Sequence, residues 1–172
     1  MTAPTNKRRF FLLALTLALC LTLMAGCAHD PADKPASKFP HEPPLLSVSA
    51  DETTVYAWRG TYSWEVKSLF GGTGTGIQSD SPHPLDCIDK LATLPLSTDA
   101  TITLTFEAPP SEILVRRYKL TASDYDDCEE IEIKGDSFKA EDGNYLYEVI
   151  AKWDSPLKSY SGSAYYAFRT GT

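Results

Sequence analysis

Tyr145-Leu146-Tyr147-Glu148-Val149-Ile150-Ala151-Lys152-Trp153 decides the fold of this chain. Tyr145, Tyr147, Val149, Ala151 and Trp153 recur with a period of two, and Leu146, Glu148, Ile150 and Lys152 occupy the alternate positions. A period of two with aromatic and β-branched residues is the mark of a strand, because successive side chains leave a strand on opposite faces. Leu146 and Ile150 place apolar groups on the second face as well. This segment therefore reads as a central strand with both faces partly covered.

The same pattern repeats on either side. Downstream, 162–170 alternates Ala164, Tyr166 and Phe168 against Tyr165, Ala167 and Arg169. Upstream, 129–134 points Ile131 and Ile133 inward, 113–120 reads as a strand with Arg116-Arg117 at an edge or mouth, and 100–106 turns Ile102, Leu104 and Phe106 in against three threonines. Nearer the N-terminus, 53–59 and 61–66 alternate around Gly60, which marks a bulge or bend, and 45–49 is a short further strand. Turn residues separate these segments, as in Ala108-Pro109-Pro110-Ser111 and Glu141-Asp142-Gly143-Asn144. Seven or eight short strands with almost no helical periodicity predict an all-β fold, an antiparallel β-sandwich of residues 45–172.

Before this domain the chain has a different character. Lys7-Arg8-Arg9 precedes an uncharged apolar run from Phe10 to Leu23. As a helix that run would rise only ~21 Å, short of the ~30 Å hydrocarbon core, so residues 1–26 read as a cleaved export signal. Residues 27–44 hold Pro31, Pro35, Pro40, Pro43 and Pro44 among small and charged residues, and read as a disordered tether. His29 and His41 are solvated linker residues in this reading.

Of 23 acidic and 16 basic residues, the signal takes three basic ones and no acidic one, leaving 13 against 23 and a net charge of −10. Such acidity argues against nucleic acid as a partner. Of the four cysteines, Cys20 lies in the signal and Cys27 at its end. Cys87 and Cys128 remain, an even pair in an exported chain. The expectation is a disulfide closing a loop of about 40 residues, worth roughly 3–4 kcal/mol. The alternative is two buried thiols.

Motifs for chemistry are weak. Gly71-Gly72-Thr73-Gly74-Thr75-Gly76 lacks the spacing of a nucleotide-binding loop and reads as a hairpin tip. Asp80-Ser81-Pro82-His83-Pro84-Leu85-Asp86-Cys87 is rigid and non-helical at its prolines, with one helical turn or two over 85–91. His83, Cys87 and Cys128 as metal ligands are weaker than a packed loop, and the acidic run 123–130 fails the EF-hand pattern, leaving a solvated loop as the default. The sequence implies no metal and no cofactor. With no hydrolase or zincin motif and His83 alone among histidines in the folded part, the chain reads as a non-enzyme. Its nine tyrosines and three tryptophans exceed what a core needs, so Tyr62, His83, Tyr160 and Tyr165 are taken as a candidate binding surface.

Three resemblances add to this reading. Met24-Ala25-Gly26-Cys27 resembles the lipobox of bacterial lipoproteins, with Met24 where leucine is commoner. That likeness implies cleavage before Cys27, acylation of Cys27 with palmitate-type chains, and a protein held on the extracytoplasmic face of the cell membrane. Glu141-Asp142-Gly143-Asn144-Tyr145-Leu146-Tyr147 resembles the start of strand F in immunoglobulin-like domains. There Tyr145 would form the tyrosine corner, while Tyr147 replaces the cysteine, so the usual inter-sheet disulfide is not implied. Third, 59–64, 76–77 with 80–86, 147–153 and 162–168 are similar to uncharacterised exported domains of Gram-positive, clostridia-like bacteria. This implies a recurring extracellular module and supplies no catalytic residue.

The expectation is a lipid-anchored binding or interaction module at the cell envelope, its partner an envelope protein or polymer. The alternative is a partner or inhibitor of a membrane sensor or peptidase. Intact-mass and N-terminal peptide mass spectrometry should find a chain that begins at Cys27 and carries acyl chains; an intact residue 1 or an unmodified N-terminus contradicts the lipoprotein reading.

Overall fold

The strand over 145–153 lies in the interior of a sheet, hydrogen-bonded on both sides, in the computed structural model of the chain. The structure describes residues 38–68, 74–154 and 159–171. Among them the chain runs through β1 (Leu46–Ala50), β2 (Thr53–Tyr56), β3 (Trp58–Val66) and β4 (Thr75–Ser79), then a short 3-10 helix (Pro84–Lys90). It continues through β5 (Thr93–Pro95), β6 (Thr101–Phe106), β7 (Glu112–Lys119), β8 (Cys128–Ile131), β9 (Ser137–Lys139), β10 (Tyr145–Trp153) and β11 (Tyr160–Gly171). Two sheets form a sandwich: a smaller one in the order β2-β1-β6-β9, and a larger one in the order β4-β3-β11-β10-β7-β8, with β5 added in parallel beside β11. The all-β sandwich expectation holds. The strand count exceeds seven or eight because β4 begins inside the glycine run read as a hairpin tip, and because β5 and β9 are only three residues long, too short to show a period.

The core lies between the sheets. Leu46 and Val48 from β1, Ile102 and Leu104 from β6 and Phe138 from β9 meet Trp64, Val115, Tyr147, Val149, Ala151, Trp153, Tyr166 and Phe168 from the larger sheet. Aromatic rings fill the centre edge to face, with Trp64 and Trp153 5.3 Å apart and Phe106 against both Trp153 and Tyr166. Such pairs are each worth about 0.5–1.5 kcal/mol beyond burial.

A second apolar cluster lies on the other face of the larger sheet. Tyr118, Leu146 and Ala167 meet Leu91, with Trp58, Leu85, Ile88, Leu120 and Cys128 packed around them. The 3-10 helix and its flanks thus cover the outer face of β10 at Leu146, while Ile150 is not part of this cluster. The cover is tied down where Arg169 donates its backbone N–H to the Ala92 carbonyl and its Nε to Thr93 Oγ1.

Gly60 does mark a bulge. Ala164 pairs with Tyr62 and Tyr166 with Arg59, so two residues of β3, Gly60 and Thr61, stand opposite Tyr165. The extra residue reverses which face each β3 side chain takes. Tyr62, Trp64 and Val66 pack into the inter-sheet core, whereas Trp58 joins the outer cluster.

The expected end of the tether at Pro44 is corrected. Residues 38–44 pack on the domain because their carbonyls are acceptors for buried donors. Trp64 Nε1 donates to Pro40 O (2.6 Å), Arg59 Nη1 to Pro43 O (2.7 Å) and the Tyr166 hydroxyl to Pro44 O (2.6 Å), while Arg59 also pairs with Glu42. Pro43 and Pro44 are buried, and the Phe39 ring meets Tyr160 edge to face. Cys27, the signal and the tether up to residue 37 lie outside the described residues, as do glycines 71 and 72.

The expected disulfide is also corrected. Cys87 and Cys128 are free thiols, Cys87 buried in the 3-10 helix and Cys128 opposite Tyr118 at the start of the edge strand β8. At the proposed tyrosine corner, the Tyr145 hydroxyl donates to the Glu141 carboxylate (3.3 Å); in the immunoglobulin corner the acceptor is backbone. Tyr166→Phe should leave the Pro44 carbonyl unpaired inside the fold and cost about 1–3 kcal/mol in urea unfolding; an unchanged midpoint contradicts the strapping of residues 38–44.

Candidate functional site

A cleft of about 280 Å³ opens on the outer face of the larger sheet, where the cover ends. Its rim is Ser81-Pro82-His83-Pro84, and its floor and far wall come from Trp58, Gly60 and Thr61 of β3, Glu148 of β10 and Tyr165, Tyr166 and Ala167 of β11. Each contribution has a local cause. Pro82 and Pro84 hold the rim extended, and His83 caps the 3-10 helix, its Nδ1 accepting the Leu85 N–H at 3.2 Å. The rim is fastened to β3 through Thr61, whose Oγ1 accepts the Ser81 N–H at 3.1 Å and donates to the Ser81 carbonyl at 3.4 Å. Trp58 reaches the cleft because the bulge turns it outward. Gly60 has no side chain to fill the space; a Cβ there would stand 3.3 Å from the Trp58 ring.

His83 is clamped between two rings. Tyr125 stacks on it with centroids 4.1 Å apart, and Tyr118 meets it edge-on at 5.4 Å. The Tyr125 hydroxyl donates to Asp86 Oδ2 at 2.7 Å, so the loop over 123–127 leans on the rim. That carboxylate pushes the Tyr125 hydroxyl's pKa up.

Glu148 is the buried charge of the site, only 4% exposed. Its Oε2 accepts the Tyr118 hydroxyl at 3.2 Å and lies 4.0 Å from Arg116 Nη1. Arg116 is itself shared, its Nε lying 4.0 Å from Glu130 Oε1. Burial, and then the Glu148 charge, push the Tyr118 hydroxyl well above its ordinary range, so it stays a protonated donor to Glu148. Both contacts fall on Oε2; no hydrogen bond or ion pair among the described residues uses Oε1. The solvent-occluded side-chain atom without a hydrogen-bond partner among those residues is the Tyr147 hydroxyl. Arg117, next to Arg116, is on the opposite face, bound to Glu129 and Glu141 and lying over the Tyr145 ring.

The four residues expected to form a binding surface are split. His83 and Tyr165 line the cleft together. Tyr62 packs at the edge of the inter-sheet core under Arg59, and Tyr160 stacks on Trp64, so neither belongs to it. Glu148 and Trp58 are not singled out in the sequence, and Gly60 stands out there only as a bulge. The signal for Glu148 was available, since a glutamate between Leu146 and Ile150 on one strand face is a charge on an apolar surface. The signal for Trp58 was the bulge, whose effect on facing depends on where the extra residue falls.

Asp124, Asp126 and Asp127 do not converge on a site: Asp124 Oδ1 accepts the Asp126 N–H in a local turn, and the described residues contain no cluster of three or more metal-ligating side chains. No protein-family model, curated protein or solved structure matches the chain.

Burial also raises the pKa of Tyr147 and Tyr166. A group whose pKa is raised by folding stabilises the fold fully below its unfolded pKa, here ~10, and that contribution is lost as pH rises through the folded value. Stability should therefore fall as pH climbs above about 10, with Tyr118, Tyr147 and Tyr166 ionising together with unfolding in an ultraviolet titration, as raised hydroxyl pKa values require. Smooth ionisation of all tyrosines ahead of unfolding contradicts this.

Proposed function

We propose that the chain is an exported, lipid-anchored β-sandwich that binds a ligand at the cell envelope without transforming it, and that the cleft beneath Ser81–Pro84 is the ligand seat. The observation that carries this reading is the convergence of Trp58, His83 and Tyr165 on the buried carboxylate of Glu148. Ligand sites are typically concave and mostly apolar with a few placed polar groups, and at about 280 Å³ this one suits a small head group or one residue of a larger molecule.

The chemistry of the lining favours binding over catalysis. General acid–base work needs groups within reach of a substrate and free to exchange protons. His83 has its Nδ1 engaged with the Leu85 N–H, and Glu148 accepts from the Tyr118 hydroxyl with the Arg116 guanidinium 4.0 Å away. The export signal, Cys27 and the acidic net charge support a place on the extracytoplasmic face of the membrane, and the proline segment supports a domain held off the lipid surface.

The test is retention of the full chain, solubilised in detergent so that its acyl chains cannot hold it, on detergent-extracted envelope fractions, wild type against Tyr165→Ala. Tyr165 is 36% exposed, so its loss should leave the unfolding midpoint unchanged while retention falls at least about fivefold. Equal retention of the two proteins overturns the cleft as the seat.

A further inference from the structure

We infer that the cleft receives a small organic cation, an ammonium head group that sits among Trp58, Tyr165 and His83 and faces Glu148. This rests on the reading of the cleft as a ligand seat and names the ligand's chemical class.

Charge sets the class. A carboxylate that is 4% exposed is costly to hold unless it is compensated. Glu148 is compensated on one side only. Tyr118 and Arg116 both come from β7, both act on Oε2, and neither lines the cleft. Arg116 stands off at 4.0 Å and divides itself between Glu148 and Glu130 at the same distance. The cleft lies on the other flank of β10, beside Ala167 and Trp58, where no cation of the described residues lines it. A positive ligand there would complete the compensation of Glu148, whereas an anion would meet a buried negative charge.

The walls point the same way. Ring faces carry negative electrostatic potential and attract cations lying within about 6 Å of the ring centre, most strongly at tryptophan. Trp58 and Tyr165 supply two such rings, and Pro82 and Pro84 add apolar surface that strips water from the head group. A polyol would need several hydrogen-bonding partners. Here the Thr61 hydroxyl is engaged with the Ser81 backbone and His83 Nδ1 with Leu85 N–H, which leaves few hydroxyls, those of Ser81 and Tyr165, beside the Glu148 carboxylate. The acidity of the whole chain adds a long-range field that draws cations towards it.

The three tryptophans give a direct readout. Trp64 Nε1 is bonded to Pro40 O and Trp153 Nε1 to Ala108 O, both in the interior, whereas Trp58 lines the cleft. The 15N-labelled full chain in detergent micelles is titrated with choline, with its neutral isostere 3,3-dimethylbutan-1-ol, and with glucose. Choline should shift the Trp58 indole signal saturably and leave those of Trp64 and Trp153 in place. The neutral isostere should bind at least about tenfold more weakly, as should choline to Glu148→Gln, because each removes one charge of the pair. Glutamine can still accept from Tyr118, so this variant should keep the fold; should it unfold, Tyr165→Ala takes its place, with an expected loss of about fivefold.

Equal binding of the neutral isostere overturns the cation while leaving a ligand seat in the cleft. A Trp58 shift with glucose and none with choline overturns it in favour of a polyol. Absence of any Trp58 shift overturns it outright. The envelope retention of Tyr165→Ala separately decides whether the cleft is a seat at all.

Discussion

β10 carries apolar side chains on both faces, and the rest of the domain is arranged to keep water from each. On the inner face Tyr147, Val149, Ala151 and Trp153 are closed off by the smaller sheet. On the outer face Leu146 needs a cover that no second sheet provides, and the 3-10 helix with Leu85, Ile88 and Leu91 supplies it. Each fully buried large side chain is worth about 1.5–3 kcal/mol relative to exposure, so leaving either face open would remove a large share of a domain's net stability. The cover is shorter than the strand. Where it stops, Glu148 lies between Leu146 and Ile150, and the gap above it is the cleft.

The bulge at Gly60 and Thr61 couples the two faces. One extra residue in β3 lets Trp64 and Tyr62 point into the core while Trp58, earlier on the same strand, points out to the cleft. The same shift sets Arg59 opposite Tyr166, and its guanidinium reaches Glu42 and the Pro43 carbonyl. A single irregularity thus places a ring at the site and anchors the N-terminal strap. The strap in turn satisfies the Trp64 indole N–H and the Tyr166 hydroxyl, two donors that burial would otherwise leave unpaired.

What could be read from the sequence follows from periodicity. β6, β7, β10 and β11 were legible because their alternation runs for six residues or more. β5 and β9, at three residues each, have no period to detect. The tether ran too far because composition records prolines and not the carbonyls they present. Parity paired Cys87 with Cys128, but an even count does not make a bond: both are free thiols, Cys87 in the 3-10 helix and Cys128 at the start of β8. Tyr160 reads as surface only through the surplus of aromatic residues, and it precedes the strand read over 162–170, yet it stacks on Trp64. Half of the candidate site was visible as His83 and Tyr165. The other half, Trp58 and Glu148, depends on a bulge and on the extent of a cover, which are properties of packing between segments distant in the chain.

The claim on which the site depends is that β10 is closed along its inner face and, as far as Glu148, on its outer face, with its ladder partners β7 and β11 beside it. Amide hydrogen exchange of the native full chain, resolved along 145–153, tests it most directly. Amides of a central, doubly covered strand should exchange only through global unfolding, more slowly than those of the edge strands β4 and β8. Exchange of 145–153 at the pace of those edge strands would mean that the outer face is open, and would contradict both the covered sheet and the cleft built on it.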